Sequence, residues 1–297
     1  MKSGFIALIG RPNAGKSTLL NQILEKKVAI ISDKPQTTRN RITGIYTRED
    51  MQIVYLDTPG IHKPKHKLGE YMVDVAEKTL RDVDLVYYLV DATADVKGGE
   101  QYIVERLNQI TTPVFLVLNK IDLIPKEDLL RKIDYWQNQY KFAEIFPVSA
   151  LKRENVNELI ERTKNYIEEG PFFYPEDTVS DQPEKVVISE IIREKILKKT
   201  KEEIPHSVAV VIEKIEEKKN GEVLNIMASI FVERQSQKKI IIGKQGQLLR
   251  QVGKEAREEL ELLLGARIFL DLWVKVKEDW RNKNSTLSNF GYDSRDY

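Results

Sequence analysis

Residues 10–17 read GRPNAGKS, a G-x-x-x-x-G-K-[ST] loop that follows an apolar run, Phe5 to Ile9, and opens a helical pattern, Lys16 to Leu24. Gly10 and Gly15 let the backbone curl so that its N–H groups and a helix N-terminus face phosphate oxygens. Lys16 adds a point charge near the β and γ groups, and Ser17 offers a hydroxyl to Mg²⁺. Arg11, Pro12, Asn13, Ala14 and Thr18 complete the loop. The chemistry is that of a nucleoside triphosphate.

Two further segments extend this site. Asp57-Thr58-Pro59-Gly60 ends the run Gln52 to Leu56 and precedes Ile61. Downstream of a phosphate loop, such a D-x-x-G places Asp57 near the metal and Gly60 near the γ-phosphate. Asn119-Lys120-Ile121-Asp122 follows the apolar run Val114 to Leu118. The Asp122 carboxylate accepts from the N1 and N2 donors of guanine, which adenine does not present, so the site selects GTP over ATP. Lys120 can lie over the base, and Ser149-Ala150-Leu151 can bring a backbone N–H to the guanine oxygen.

A second chemistry is written in residues 240–250, IIIGKQGQLLR. Gly243-Lys244-Gln245-Gly246 is a G-x-x-G after Ile242 and before a long amphipathic helix. A loop without bulk lets nucleotides approach N–H groups at a helix N-terminus. Arg234, Lys238, Lys239, Lys244, Arg250 and Lys254 lie in a stretch without an acid and form a candidate phosphate track. An open alternative is a module here that binds protein or a membrane instead of RNA.

The elements that must position these groups follow from periodicity. Up to about residue 168, β-branched or aromatic runs at Phe5–Ile9, Arg41–Tyr46, Gln52–Leu56, Leu85–Val90, Val114–Leu118 and Glu144–Val148 alternate with helical patterns. This predicts an α/β domain over 1–170 with a mostly parallel sheet and helices on both faces. Residues 171–183, rich in proline and acids, read as a linker. Residues 184–281 read as α-β-β-α-α-β, an α+β domain whose first two strands are joined at Asn220-Gly221. In the helix Lys185–Lys199, Glu190 and Glu194 fit core packing better than a membrane surface. Residues 282–297 form a polar tail, mobile or docked.

The motifs GRPNAGKS, QTTRN (Gln36 to Asn40), DTPG, NKID and SAL, in this order, make the first domain resemble the translation-factor-related GTPases. The second resembles a type 2 KH domain, and the combination is similar to the Era-like GTPases of bacteria. The resemblance implies that Thr38, next to Thr37, joins Ser17 and Asp57 on Mg²⁺, and that Lys16, Thr38, Gly60 and Asn13 serve hydrolysis. Asn13 resembles the asparagine that helps bind K⁺ where that cation stands in for an arginine finger. Ile61 stands where Ras-like enzymes carry a water-positioning glutamine, so intrinsic hydrolysis should be slow. What the resemblance further implies is binding of the 3′ end of small-subunit ribosomal RNA, a role in biogenesis of the small ribosomal subunit, and weak peripheral association with the cell membrane.

Composition bounds these readings. The 297 residues hold no cysteine and three histidines, which removes thiol chemistry and Cys-ligated zinc. A cytoplasmic protein is the expectation, since no apolar run approaches the length of a membrane span, and a monomer is expected. Residues 1–180 carry 25 basic and 26 acidic side chains, and residues 181–297 carry 22 and 20. Bulk charge therefore gives little non-specific pull on nucleic acid, and any RNA recognition must come from the local acid-free stretch.

Overall fold

The near-continuous apolar runs of the first half are explained by strands with two faces to cover. The structure, a computed structural model, describes residues 1–95, 98–218 and 223–296. In chain order come β1 (Lys2–Gly10), α1 (Lys16–Leu24), β2 (Ile42–Arg48), β3 (Met51–Asp57), α2 (Lys67–Thr79), β4 (Leu85–Asp91) and α3 (Gly98–Leu107). They are followed by β5 (Val114–Asn119), α4 (Lys126–Gln137), β6 (Glu144–Val148), α5 (Val156–Thr163) and a short β7 (Glu168–Glu169).

The strands lie in the order β2-β3-β1-β4-β5-β6. All neighbouring pairs are parallel except β2 with β3, and β7 runs antiparallel beside Lys2 and Ser3 of β1. Along β4, Leu85, Tyr87 and Leu89 enter a core shared with Leu19 and Ile23 of α1 and Leu159 and Ile160 of α5. Val86, Tyr88 and Val90 enter the opposite core with Ala76 of α2, Ile103 of α3 and Trp136 of α4. Alternation along one strand thus covers both faces of the sheet. The carboxyl ends of β1, β3, β5 and β6 open on one edge, where ligands of such sheets bind.

The second half comprises α6 (Glu184–Lys199), α7 (Ile204–Ser207), β8 (Ala209–Lys218), β9 (Val223–Val232), α8 (Gln235–Ile242), α9 (Gln247–Leu264), β10 (Arg267–Val276) and α10 (Asn284–Asn289). Its sheet runs β10-β9-β8, with β9 parallel to β10 and antiparallel to β8. Asn220-Gly221 lies outside the described residues. Val252, Ala256 and Leu260 of α9 and Ile188, Ile192 and Ile196 of α6 cover the sheet at helical spacing. Arg193, Glu194 and Lys195 of α6 are buried as well. The membrane-surface alternative for this helix finds no free face.

Residues 171–183 do not hang between the two halves. The Gln52 carboxamide accepts from the N–H groups of Phe173 (2.8 Å) and Tyr174 (2.9 Å) and donates to the Tyr174 carbonyl (2.9 Å). Ile45 N–H donates to the Val179 carbonyl at 2.8 Å, which carries the segment along β2. The tail is docked: its Leu287 and Tyr292 form one cluster with Trp280 and with Leu68, Tyr71, Met72 and Val75 of α2.

His66 caps α2, its Nδ1 accepting the Gly69 N–H at 3.0 Å. Burial, then the charges of Arg281 and Arg39, push the imidazole down to about 4. The folded state therefore binds fewer protons than the unfolded one below about pH 6.5, and stability falls as pH drops through that window. Because the ring is half-exposed, the expected contribution is about 1 kcal/mol, the worth of an N-cap. The urea midpoint of His66→Ala should lie below wild type at about pH 7 and converge on it by about pH 4. A gap that does not change with pH contradicts this role.

Candidate nucleotide and nucleic-acid sites

The phosphate loop is shaped by what stands behind it. Gly15 has φ 97°, and a Cβ there would lie 2.1 Å from Nδ2 of Asn119, so only glycine fits. Asn119 in turn donates to the Ala14 carbonyl (2.9 Å) and accepts from the Ala150 N–H (2.9 Å). One carboxamide at the end of β5 thereby ties the phosphate loop to the loop after β6. Lys16 is 6% exposed, and its ammonium donates to the carbonyls of Gly10 (3.3 Å) and Arg11 (3.1 Å). Burial lowers its pKa, opposed by Asp57 and Glu100.

Three oxygen groups from distant parts of the chain meet beside it. Ser17 Oγ donates to Asp57 Oδ2 at 2.6 Å and lies 2.9 Å from Thr38 Oγ1. Thr37 turns away and donates to the Lys34 carbonyl at 2.6 Å. Asp57 is fully buried, and its Oδ1 has no hydrogen-bond partner among the described residues. Burial raises its pKa to about 6, against the pull of Lys16. A hard divalent cation fits such a set of hydroxyl and carboxylate oxygens and would reverse that shift.

The DTPG segment closes on the same loop. A Cβ on Gly60 would stand 2.6 Å from the Pro12 nitrogen, and the Ile61 N–H donates to the Gly10 carbonyl at 3.0 Å. Thr58 Oγ1 donates to the Leu8 carbonyl at 2.8 Å and anchors the segment to β1. Ile61 is 1% exposed and packs with Ala7, Ile9 and Ala76, so its side chain points into the core and not toward the phosphates. His62, half-buried, bridges Gly60 O (2.8 Å) and Gln36 Nε2 (3.0 Å). Since an amide NH₂ only donates, His62 Nε2 accepts and Nδ1–H donates to Gly60. With His66 serving as a helix cap, both histidines that follow DTPG are engaged within the protein.

At the base end, the Ser149 hydroxyl and then burial and the Lys152 ammonium, 3.7 Å away, act on Asp122, with the net effect of holding its carboxyl below its usual range. It is charged at neutral pH and accepts only. Lys120 pairs with Asp91 at 2.5 Å. In the SAL loop the Ser149 N–H donates to Glu154 O (3.2 Å) and the Ala150 N–H to Asn119, which braces the turn after β6 from within. Asn13 Nδ2 donates to the Asp33 carbonyl at 2.8 Å, joining the phosphate loop to the segment that carries Thr38.

In the second half, the G-x-x-G turn takes left-handed backbone at Gly243 (φ 75°), Gln245 (φ 51°) and Gly246 (φ 74°), and Gly246 is the N-cap of α9. A Cβ at Gly243 would come 2.8 Å from Leu248. Arg250 folds back on the turn and donates to the carbonyls of Gln245 and Gly246. Beside it lies a groove of about 570 Å³ between α9 and β10, lined by Leu249, Arg250, Gly253, Lys254, Arg257 and Phe269 among others. Lys239 and Lys244 are exposed near the turn, whereas Arg234 stands at the far end of α8 and Ile242 packs on the core. Sequence reasoning stopped at Lys254 and missed Arg257 and Phe269. The helical spacing 250, 253, 257 signals the first, but nothing local signals a partner from β10.

Residues 5–120 match the family described as 50S ribosome-binding GTPase, and residues 203–281 match the KH domain family. A solved variant of Era from Aquifex aeolicus, bound to GDP·AlF₄⁻, is 42% identical with a TM-score of 0.95, covering 98% of this chain and 99% of that one. A structure of Era in complex with MgGDPNP and nucleotides 1506–1542 of 16S ribosomal RNA gives 42% identity and a TM-score of 0.96 over the same shares. The chain belongs to the Era family of GTPases. As an Era-family member it hydrolyses GTP with Mg²⁺, and its fold is a P-loop GTPase domain followed by a KH domain. The buried Ile61 distinguishes this Era-family site from one in which a side chain after DTPG orients water.

Proposed function

We propose that the chain is a GTP-controlled RNA-binding switch that grips the 3′ end of small-subunit ribosomal RNA during biogenesis of the small ribosomal subunit. The observation that carries this reading is the left-handed G-x-x-G turn capping α9 beside a groove with Arg250, Lys254 and Arg257, in a chain 42% identical over 98% of its length to an Era seen with 16S RNA. Phosphates would meet the N–H groups at the start of α9, and bases would lie against Leu249 and Phe269. At the other site, Ser17, Asp57 and Thr38 would hold Mg²⁺, which neutralises charge on the β and γ phosphates when bound. Lys16 binds the same phosphates, and Asp122 fixes the base. The test is a fluorescence titration with a 3′-terminal 16S fragment against a scrambled strand of equal composition. Equal affinity for the two strands contradicts the ribosomal assignment.

Potassium belongs to this proposal. With Nδ2 of Asn13 held by Asp33, its Oδ1 is the end that would meet a cation beside the phosphates. Hydrolysis should run at least about tenfold faster in K⁺ than in Na⁺, the scale of one well-placed charge contact, and Asn13→Ala should remove the difference. Equal rates in the two salts reject it. The chain would work as a monomer in the cytoplasm. Any membrane contact would be peripheral, because no helix among the described residues is long and apolar enough to cross a bilayer.

A further inference from the structure

We propose that Arg193, on the first helix of the KH module, is a positioning residue for GTP hydrolysis: together with Arg39 it clamps the backbone on both sides of Thr38, so that the RNA-binding module completes the γ-phosphate sensor. The inference rests on the reading of Thr38 as the hydroxyl that closes on the metal.

Arg193 is 1% exposed; its Nε (2.8 Å) and Nη2 (2.5 Å) grip the Glu190 carboxylate, and Nη2 also donates to the Thr37 carbonyl. Arg39 is likewise 1% exposed and points the other way into the KH module. Its guanidinium donates to the carbonyls of Val208 (2.7 Å) and Pro205 (3.1 Å) and to the Tyr292 hydroxyl (3.3 Å), and it lies 5.8 Å from the Trp280 ring centroid. Thr38, 8% exposed, is the single residue between these two holds. Consecutive Cα atoms are about 3.8 Å apart and each residue has only two soft dihedrals, so Thr38 cannot leave Ser17 unless a clamp opens or the KH module moves with it.

The same segment is held further upstream. The Ile31 N–H donates to Glu194 Oε1 at 3.1 Å, and Lys27 reaches Glu194 (2.6 Å) and Glu259 (2.5 Å), joining α6 and α9. Buried guanidiniums that lose a partner are costly, which makes the clamp two-state and not continuously yielding. By linkage, if RNA binding shifts α6 and so changes the affinity for GTP, GTP changes the affinity for RNA by the same factor.

Only ligands with a γ-phosphate use Thr38, so the experiment is a difference measurement. In the full chain, affinities for fluorescent GDP and for a fluorescent non-hydrolysable GTP analogue are measured with Mg²⁺, alongside kcat. Arg193→Ala should leave GDP affinity within about twofold while weakening the GTP analogue about tenfold, a typical coupling, with kcat falling in parallel. Arg193→Lys, which can still donate to the Thr37 carbonyl, should be intermediate. Thr38→Ala is the reference for full loss. If Thr38→Ala discriminates between the two nucleotides and Arg193→Ala does not, the positioning role is overturned. If Thr38→Ala itself shows no discrimination, the reading of Thr38 has failed, and the positioning role with it. Should Arg193→Ala fail to fold, Glu190→Gln, which loosens the grip on Arg193 without removing it, must show the same selective loss on a smaller scale; no selectivity overturns the proposal.

Discussion

Asp122→Asn is expected to weaken GTP binding roughly 100- to 1000-fold and to raise affinity for xanthine nucleotides. The carboxylate accepts two hydrogen bonds from guanine, and bonds to a charged group contribute about 1.5–3 kcal/mol each. An asparagine keeps one acceptor and places an NH₂ against a guanine donor, whereas xanthine offers an oxygen at that position. The local fold should survive, because Asn retains an acceptor for the Ser149 hydroxyl that now meets Asp122. Binding of GTP and XTP, measured by competition against a fluorescent nucleotide, checks this. Unchanged GTP affinity would remove the guanine assignment, and with it the distinction from an adenine-nucleotide motor.

Gly246→Asp is expected to weaken RNA binding on the order of 100-fold. Its φ of 74° lies in the left-handed region, which aspartate tolerates better than most residues, and the nearest atom to a new Cβ is Arg250 Nε at 3.9 Å. Strain should therefore cost only about 1 kcal/mol. The new carboxylate would sit at the N-terminus of α9, where phosphates are to bind, and like charges there cost several kcal/mol. It would also draw Arg250 away from the RNA. A titration with the 16S fragment at two salt concentrations measures the loss, with the thermal midpoint as the control for folding. Undiminished RNA binding would favour the competing reading, a regulatory GTPase whose C-terminal module binds a protein or a membrane.

What the sequence made legible, and what it hid, follows one physical division. Patterns carried by a single element could be read. The bounds Lys16–Leu24 coincide with α1, and the long amphipathic helix after the G-x-x-G is α9, since each opens at a glycine turn and follows its own periodicity. The motif loops sit where strand ends must put them. Contacts between elements far apart in the chain could not be read. Nothing near residues 171–183 announces that Gln52 will hold that segment along the sheet. The polar tail gives no sign that Tyr292 packs at a tilt against Tyr71 of α2, with ring centroids 5.7 Å apart. In α6, Ile188, Ile192 and Ile196 mark the face toward the KH sheet, but nothing local in the sequence shows what would meet Arg193 and Glu194. They are buried because the GTPase domain supplies a second surface with carbonyls, N–H groups and Lys27 to meet them. The meeting of Ser17, Asp57 and Thr38 is implied by the family resemblance alone; no local pattern brings Thr38 to the other two, and in the folded chain its hydroxyl lies 2.9 Å from that of Ser17.

These contacts make both nucleotide-sensing segments part of the interface with the KH module: Thr37 and Arg39 touch it directly, and α2, after DTPG, packs on Trp280 and the tail. The central claim is that the nucleotide state governs RNA binding through this interface. It is tested by the equilibrium affinity of the full chain for the 3′-terminal 16S fragment, loaded with GDP or with a non-hydrolysable GTP analogue at fixed Mg²⁺ and salt. The GTP form should bind at least about fivefold more tightly, the lower end of ordinary coupling between sites. Equal affinities in the two nucleotide states would contradict it.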